Sequence, residues 1–194
     1  MRDEPLIVGV DVGTTNTKAV VYTPAGRAVA IASRPTPVHY PQPGWANFQV
    51  DELWTGFVAA LREVTGQLPD PGRIAGVSVT SFAEAGVPLD ELGNAATNEM
   101  IAWFDTRTRP QVEWLDQTIG IDELFARTGL SVQPIFTLNK LLWIRENQPE
   151  VWGRTRRWLN AADYFLYRLS GVQATDYSLA SRMLTLDLHR LCWD

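Results

Sequence analysis

Asp11, Gly13, Thr14, Thr15, Thr17 and Lys18 lie together in the stretch IVGVDVGTTNTKAVVYTPAGR. A β-branched run ends in a carboxylate, a glycine and a cluster of hydroxyls, and a cation then opens a second β-branched run. Phosphate oxygens need donors, and a turn supplies backbone N–H groups wherever no side chain blocks the approach. Gly13 removes that side chain and admits unusual backbone angles. The threonines add hydroxyl donors and Lys18 adds a point charge suited to phosphate. Asp11 repels phosphate unless a magnesium ion or its water shell stands between them. The set therefore reads as a metal–nucleotide site between two strands. It is not a Walker loop, which needs GxxxxGK[ST] opening a helix. A tight hairpin turn explains the same residue types, since Gly, Thr and Asn are turn formers.

The elements that must position these residues follow from the pattern. Residues 6–10, 17–22 and 27–33 read as three strands in an antiparallel meander, with Thr23-Pro24-Ala25-Gly26 as a turn. Four prolines between residues 35 and 44 demand an extended loop. A helix is expected over 51–67. Leu53, Phe57, Leu61, Val64 and Leu68 recur at helical spacing, Trp54 and Val58 widen the stripe, and Asp51 or Glu52 serves as cap or first-turn acid. Residues 74–80 form a short apolar run, 87–94 a strand and turn, and 100–104 another apolar run ending at Asp105. Helical patterns follow near 110–118, over 121–127 with Gly129 as the stop, and over 137–147. Asn160 caps a last helix, with Asp163 at its third position and Gly171 as its end. A meander followed by alternating helix and strand gives an α/β domain with a mixed sheet.

Composition bounds the class. The chain has 194 residues, 45% of them apolar, and eight tryptophans, enough for a packed core, with core positions expected for most of the tryptophans. A net charge of −5 argues against nucleic acid, which favours a basic face. Cys192 is the one cysteine, so no disulfide forms within the chain, which fits a reducing cytoplasm. No apolar run approaches the length of a membrane span, and the acidic start MRDEPLIVG lacks the pattern of a signal peptide. His39 and His189 have no metal-like spacing and read as a loop residue and a surface residue. Arg154, Arg156 and Arg157 read as a solvated cluster.

GVDVGTTNTKAVVYTPAGR resembles the phosphate-binding start of the superfamily of sugar kinases, actin and heat-shock chaperone ATPases. GWANFQVDELW, IAGVSVTSFAEAGVPLDELGN, the Trp-x-Asp-x-Arg segment Trp103 to Arg107, TLNKLLWIRENQPEVW and LNAADYFLYRLSG narrow the likeness to the FGGY carbohydrate kinases over essentially the whole chain. Those enzymes move the γ-phosphate of ATP to a hydroxyl of a sugar, sugar acid or polyol. The resemblance implies an α/β, ribonuclease H-like (actin-like ATPase) domain with helices on both faces of its sheet. It implies ATP and Mg2+ as cofactors, a small-molecule sugar or polyol as partner, no nucleic acid or membrane, and a cytoplasmic protein; it leaves a homodimer open.

Carried over by the same resemblance, Asp11 holds Mg2+ through water, and Gly13, Thr14, Thr15 and Lys18 line the phosphates. Glu84, Trp103 and Asp105 line the sugar pocket, with Arg107 in support. The residue types suit sugar recognition, because sugar hydroxyls donate to carboxylates and sugar C–H faces stack on an aromatic ring. Each also has a plain reading, with Trp103 as core, Asp105 as a helix cap and Glu84 as a solvated loop acid. Ile135-Phe136 stands where glycerol kinases carry Tyr-Phe, which argues against glycerol, and the Trp103 to Arg107 segment resembles that of the xylulose and gluconate kinases, whose substrates are therefore favoured. Residues 1–194 then form the family's N-terminal domain. The catalytic Asp and the adenosine site belong to a C-terminal ATP-binding domain that this chain lacks, so the chain alone is expected not to turn over. The alternatives are a non-catalytic sugar sensor or partner platform of the same superfamily, and a chaperone or filament ATPase.

Overall fold

In the computed structural model, residues 4–194 are described; Met1 to Asp3 of the polar start lie outside them. The three expected strands form the meander: β1 (Leu6–Val12), β2 (Asn16–Tyr22) and β3 (Ala28–Pro35), paired antiparallel in sequence order. The proline-rich loop leads into β4 (Asn47–Gln49) and α1 (Val50–Gly66). β5 (Ile74–Ser81) then returns to pair parallel with β1, giving a four-stranded mixed sheet of order β3-β2-β1-β5.

One face of this sheet is the core. Val8, Val10, Val12, Ala19 and Val21 point into it and are buried, as alternation along a half-buried strand requires. α1 closes the core with the expected stripe: Leu53, Phe57 and Val64 are buried, and Trp54, Val58, Leu61 and Leu68 pack partly buried against them. The helix begins one residue earlier than expected. Asp51 and Glu52 fall in its first turn, where a carboxylate favours the helix dipole. Trp54, Phe57 and Phe165 stack, with Phe57 and Phe165 at 4.8 Å between ring centroids. The opposite face bears Ile7, Asp11, Lys18 and Ile31 exposed at positions alternate to the core residues. The helices that pack on the sheet, α1 and the later α6, lie on the core side.

The rest is built on short pairings. β6 (Gly86–Leu89) and β7 (Glu99–Ile101) follow β5, and β7 pairs with β4. Then come α2 (Arg109–Thr118), α3 (Ile121–Thr128), α4 (Thr137–Asn147), α5 (Pro149–Arg154), β8 (Arg157–Asn160), α6 (Ala161–Ser170), α7 (Tyr177–Ser181), β9 (Leu186–Asp187) and β10 (Cys192–Trp193). β8 pairs with β6, and β10 with β9. Gly129 and Gly171 stop α3 and α6 in the left-handed conformation, at φ 69° and 73°. Asn160 stands at the N-cap of α6 but accepts no cap bond there. Its amide instead donates to Asp163 at 3.1 Å, and burial raises the Asp163 pKa above the usual carboxylate value. Trp143 is buried and Trp45, Trp54 and Trp158 pack partly buried against the core, while Trp103, Trp114, Trp152 and Trp193 are exposed, so half of the eight tryptophans lie outside the core.

Phe57 is fully buried between the sheet and α6, so Phe57→Ala should lower unfolding stability by about 3–5 kcal/mol. Leu92→Ala, at an 83% exposed turn position, should change it by less than about 0.5 kcal/mol. Urea unfolding of both variants checks the contrast.

Candidate functional site

Parallel pairing of β1 with β5 places Val12 beside Ser81, so both strands end at the same edge of the sheet. Phe82 N donates to Val12 O at 3.1 Å, tying the chain after β5 to the turn after β1. The Gly13–Thr15 turn and the loop carrying Glu84 therefore leave the sheet side by side, at the carboxyl ends of adjacent parallel strands. Ligands of α/β sheets collect at such edges.

The first turn is open. Gly13 N donates to Asn16 O at 3.0 Å, closing it tightly. Gly13 does not use the left-handed freedom that glycine permits; its need for glycine is steric. A Cβ there would lie 2.9 Å from Asn16 O and 4.0 Å from Asp11 Oδ2. Asp11 and Lys18 are register partners across β1 and β2, both exposed, and among the described residues neither enters an ion pair. With Gly9, Val20, Ser78 and Thr80 they line a shallow concavity of about 340 Å³. Thr15 is exposed, Thr14 half-buried, and Thr17 turns into the core beside Thr36. Among the described residues no three His, Cys, Asp or Glu side chains gather as a metal cluster. A single free carboxylate suits Mg2+, which keeps several waters and takes phosphate oxygens for the rest.

The second group is packed rather than open. Asp105 is 2% exposed and both its oxygens are engaged. Oδ2 accepts from Ala46 N at 2.6 Å and from Arg107 Nε and Nη2 at 2.9 and 2.8 Å; Oδ1 accepts from Arg107 N at 2.7 Å. Arg107 also donates to Asn47 Oδ1 at 2.6 Å and lies over the rings of Trp45 and Trp143, 4.0 and 4.9 Å from their centroids. Such an ion pair holds because two charge-assisted bonds to one carboxylate oxygen and two aromatic faces replace the lost water. Asp105 and Arg107, expected at the pocket wall, are here the brace that ties the loop after β7 to β4. Trp103 is 40% exposed and stands edge-on to Phe104 at 5.3 Å, leaving its ring available to a ligand.

Glu84 sits between a cation on each side. Its Oε1 accepts from Arg182 Nε, whose guanidinium lies over Phe136. Its backbone carbonyl accepts from Lys140 Nζ, and its φ of 56° is left-handed, uncommon for a residue with a Cβ. Lys140, on α4, is fully buried. Burial lowers its pKa from 10.5 to about 7, with Glu84 and Asp105 pushing it back up and Arg107 adding to the fall. Lys140 thus stands where the Glu84 loop and the Asp105–Arg107 brace meet. Neither Lys140 nor Arg182 stands out in the motifs of the sequence. A signal for Lys140 exists there all the same: Phe136, Lys140 and Trp143 recur at helical spacing, a cation on an otherwise apolar stripe. His39 pairs with Glu52 at 2.7 Å on the surface, and His189 Nε2 lies 2.9 Å from Ala126 O.

Two outcomes follow. Asp105→Ala strands a buried Arg107 and should cost roughly 3–5 kcal/mol in unfolding stability, read by urea denaturation; a residue that only touched ligand would leave stability unchanged. Between pH 7 and 10.5 the folded chain holds Lys140 neutral while the unfolded chain keeps it protonated, so stability should rise with pH across that window. Below pH 7 both states are protonated and that gain is absent. Urea midpoints at pH 6.5 and 9 should therefore climb more for the unsubstituted chain than for Lys140→Met.

Comparison with known proteins bears on the family and the fold. The chain is 30% identical to the glycerol kinase of Gluconobacter oxydans and 32% identical to that of Citrifermentans bemidjiense, over 100% and 97% of its own length. It spans 39% of the length of each of those relatives. Its fold superposes on the xylulose kinase of Rhodospirillum rubrum with a TM-score of 0.92 at 30% identity, covering 97% of this chain and 39% of that one. The gluconate kinase of Lactobacillus acidophilus gives 0.90 at 27% identity, covering 98% and 38%. The sequence profile of the N-terminal domain of the FGGY family of carbohydrate kinases matches residues 6–194, and the chain belongs to that family.

Proposed function

We propose that this chain is the sugar-binding and first phosphate-binding part of an ATP-dependent phosphotransferase. The enzyme moves the γ-phosphate of ATP to a hydroxyl of a sugar, sugar acid or polyol. The observation that carries the reading is the shared edge of β1 and β5, where an open glycine turn flanked by a free carboxylate and a free lysine adjoins the Glu84 loop. Asp11 would hold Mg2+ through water, and the ion would neutralise charge on the phosphates during transfer. Gly13, Thr14 and Thr15 would offer backbone and hydroxyl donors to phosphate oxygens, and Lys18 a positive charge. Glu84 would accept from substrate hydroxyls and Trp103 would stack on the C–H face. Asp105 and Arg107 would act from beneath, by fixing the loop that presents Trp103.

Xylulose or gluconate is the favoured substrate class. Ile135, half-buried just before α4, offers no hydroxyl where glycerol kinases carry a tyrosine. Transfer also needs a group aligned with the attacking hydroxyl, and a site for adenosine. We assign both to a second domain, so the 194-residue chain alone should show no turnover while retaining weak sugar binding. Soluble cytoplasmic chemistry fits, and no helix among the described residues is long and apolar enough to cross a membrane.

The test is a panel of ketopentoses, sugar acids, hexoses and polyols offered with magnesium-ATP to the protein extended through its second domain, following ADP release. One acceptor should stand well above the rest, and Asp11→Ala should lower kcat by about 100-fold or more without loss of fold. Silence across the panel with ATP still bound would favour a sugar sensor instead.

A further inference from the structure

We propose that Lys140 is a positioning residue: by donating to the Glu84 carbonyl it holds Glu84 in its left-handed conformation and so aims the carboxylate at Arg182 and the substrate side of the loop. The part that concerns substrate rests on the kinase reading above. Three observations carry the hold. Lys140 is fully buried, and the Glu84 carbonyl is its hydrogen-bond acceptor. Glu84 has φ 56° and is followed by Ala85, whose carbonyl accepts from Ala161 N at 3.0 Å, so the loop is pinned just past the strained residue. The Glu84 side chain is 10% exposed and reaches Arg182, which is itself 40% exposed and faces outward over Phe136.

A left-handed residue with a Cβ persists only where its surroundings over-determine it. Here the surroundings are the Lys140 amine donating to the carbonyl and the Arg182 guanidinium against the carboxylate. With Glu84 relaxed to an ordinary φ, its side chain would leave Arg182 and the edge shared with the Gly13 turn. The groups facing Lys140 are the Glu84 and Asp105 carboxylates and the Arg107 guanidinium, from the loops after β5 and β7. A lysine buried among them also titrates within reach of experiment, with a midpoint near 7.

The hold can be read without substitution. In the unsubstituted chain, the Glu84 carbonyl carbon and the Lys140 Cε should shift together with one midpoint as pH is raised through neutrality. The Glu84 amide–Hα cross-peak, strong for a left-handed residue, should weaken in Lys140→Met and persist in Arg182→Gln, which frees the carboxylate but not the carbonyl. In the longer protein, Lys140→Met should raise the KM of the accepted sugar about tenfold while the KM for ATP stays within about twofold. Adding Glu84→Gln should cost no further sugar affinity, because both act through one carboxylate. A Glu84 carbonyl indifferent to Lys140 titration, or a left-handed cross-peak intact in Lys140→Met, overturns the inference. A coupled carbonyl in a protein that phosphorylates no sugar upholds the hold and overturns the kinase reading.

Discussion

Parallel pairing between β1 and β5, strands separated by a meander and a helix, is the constraint on which the rest of the molecule depends. Antiparallel neighbours send their connections to opposite ends of a sheet, whereas parallel neighbours end together. Because β5 runs with β1, the turn after Val12 and the loop after Ser81 share one edge. The same pairing decides which residues are wet. Positions alternating with Val8 and Val10 bring Gly9 and Asp11 to a face that also receives Lys18, Ser78 and Thr80. Apolar residues on the other face gather α1 and α6 into the core. Alternation along the strands therefore separates an apolar packed face from an open face bearing a free carboxylate and a free lysine.

The second constraint is charge without water. Asp105, Arg107 and Lys140 are all buried. An isolated buried charge is expensive, and these three survive by different means. Asp105 and Arg107 neutralise one another through two bonds from the guanidinium to Asp105 Oδ2, with two indole rings over the guanidinium. Lys140 has a carbonyl for a partner and carboxylates nearby, yet burial still dominates its protonation. Hydrophobic residues of similar volume would often hold such a place as well or better in stability. What charges add is geometry: a loop braced to β4 on one side and a strained glutamate on the other.

The likeness to glycerol, xylulose and gluconate kinases fixes a family and leaves the acceptor to the pocket, since one fold serves several substrates. Of the candidate side chains, Trp103 is exposed, the Glu84 side chain is 10% exposed and paired with Arg182, and Asp105 is buried with both oxygens engaged.

By itself the sequence determined the elements whose signal is local. The meander, the α1 stripe from Leu53 to Val64 and the stops at Gly129 and Gly171 depend on side-chain periodicity and backbone freedom, which neighbours in the chain set. α4 appears from Thr137 to Asn147 as its spacing requires. The Asp11–Lys18 cluster was legible for the same reason, since its residues are adjacent and its turn is closed within itself. Tertiary structure alone decided the rest. β4, β8, β9 and β10 are two to four residues long and exist because a partner strand supplies their hydrogen bonds. Spacing marks Asp105 and Arg107 as a motif; only packing against Ala46, Asn47 and Trp45 turns them inward. Lys140 meets Glu84 across 56 residues, and Arg182 meets it across 98. No local pattern encodes a contact whose partners are joined only by the path of the whole chain.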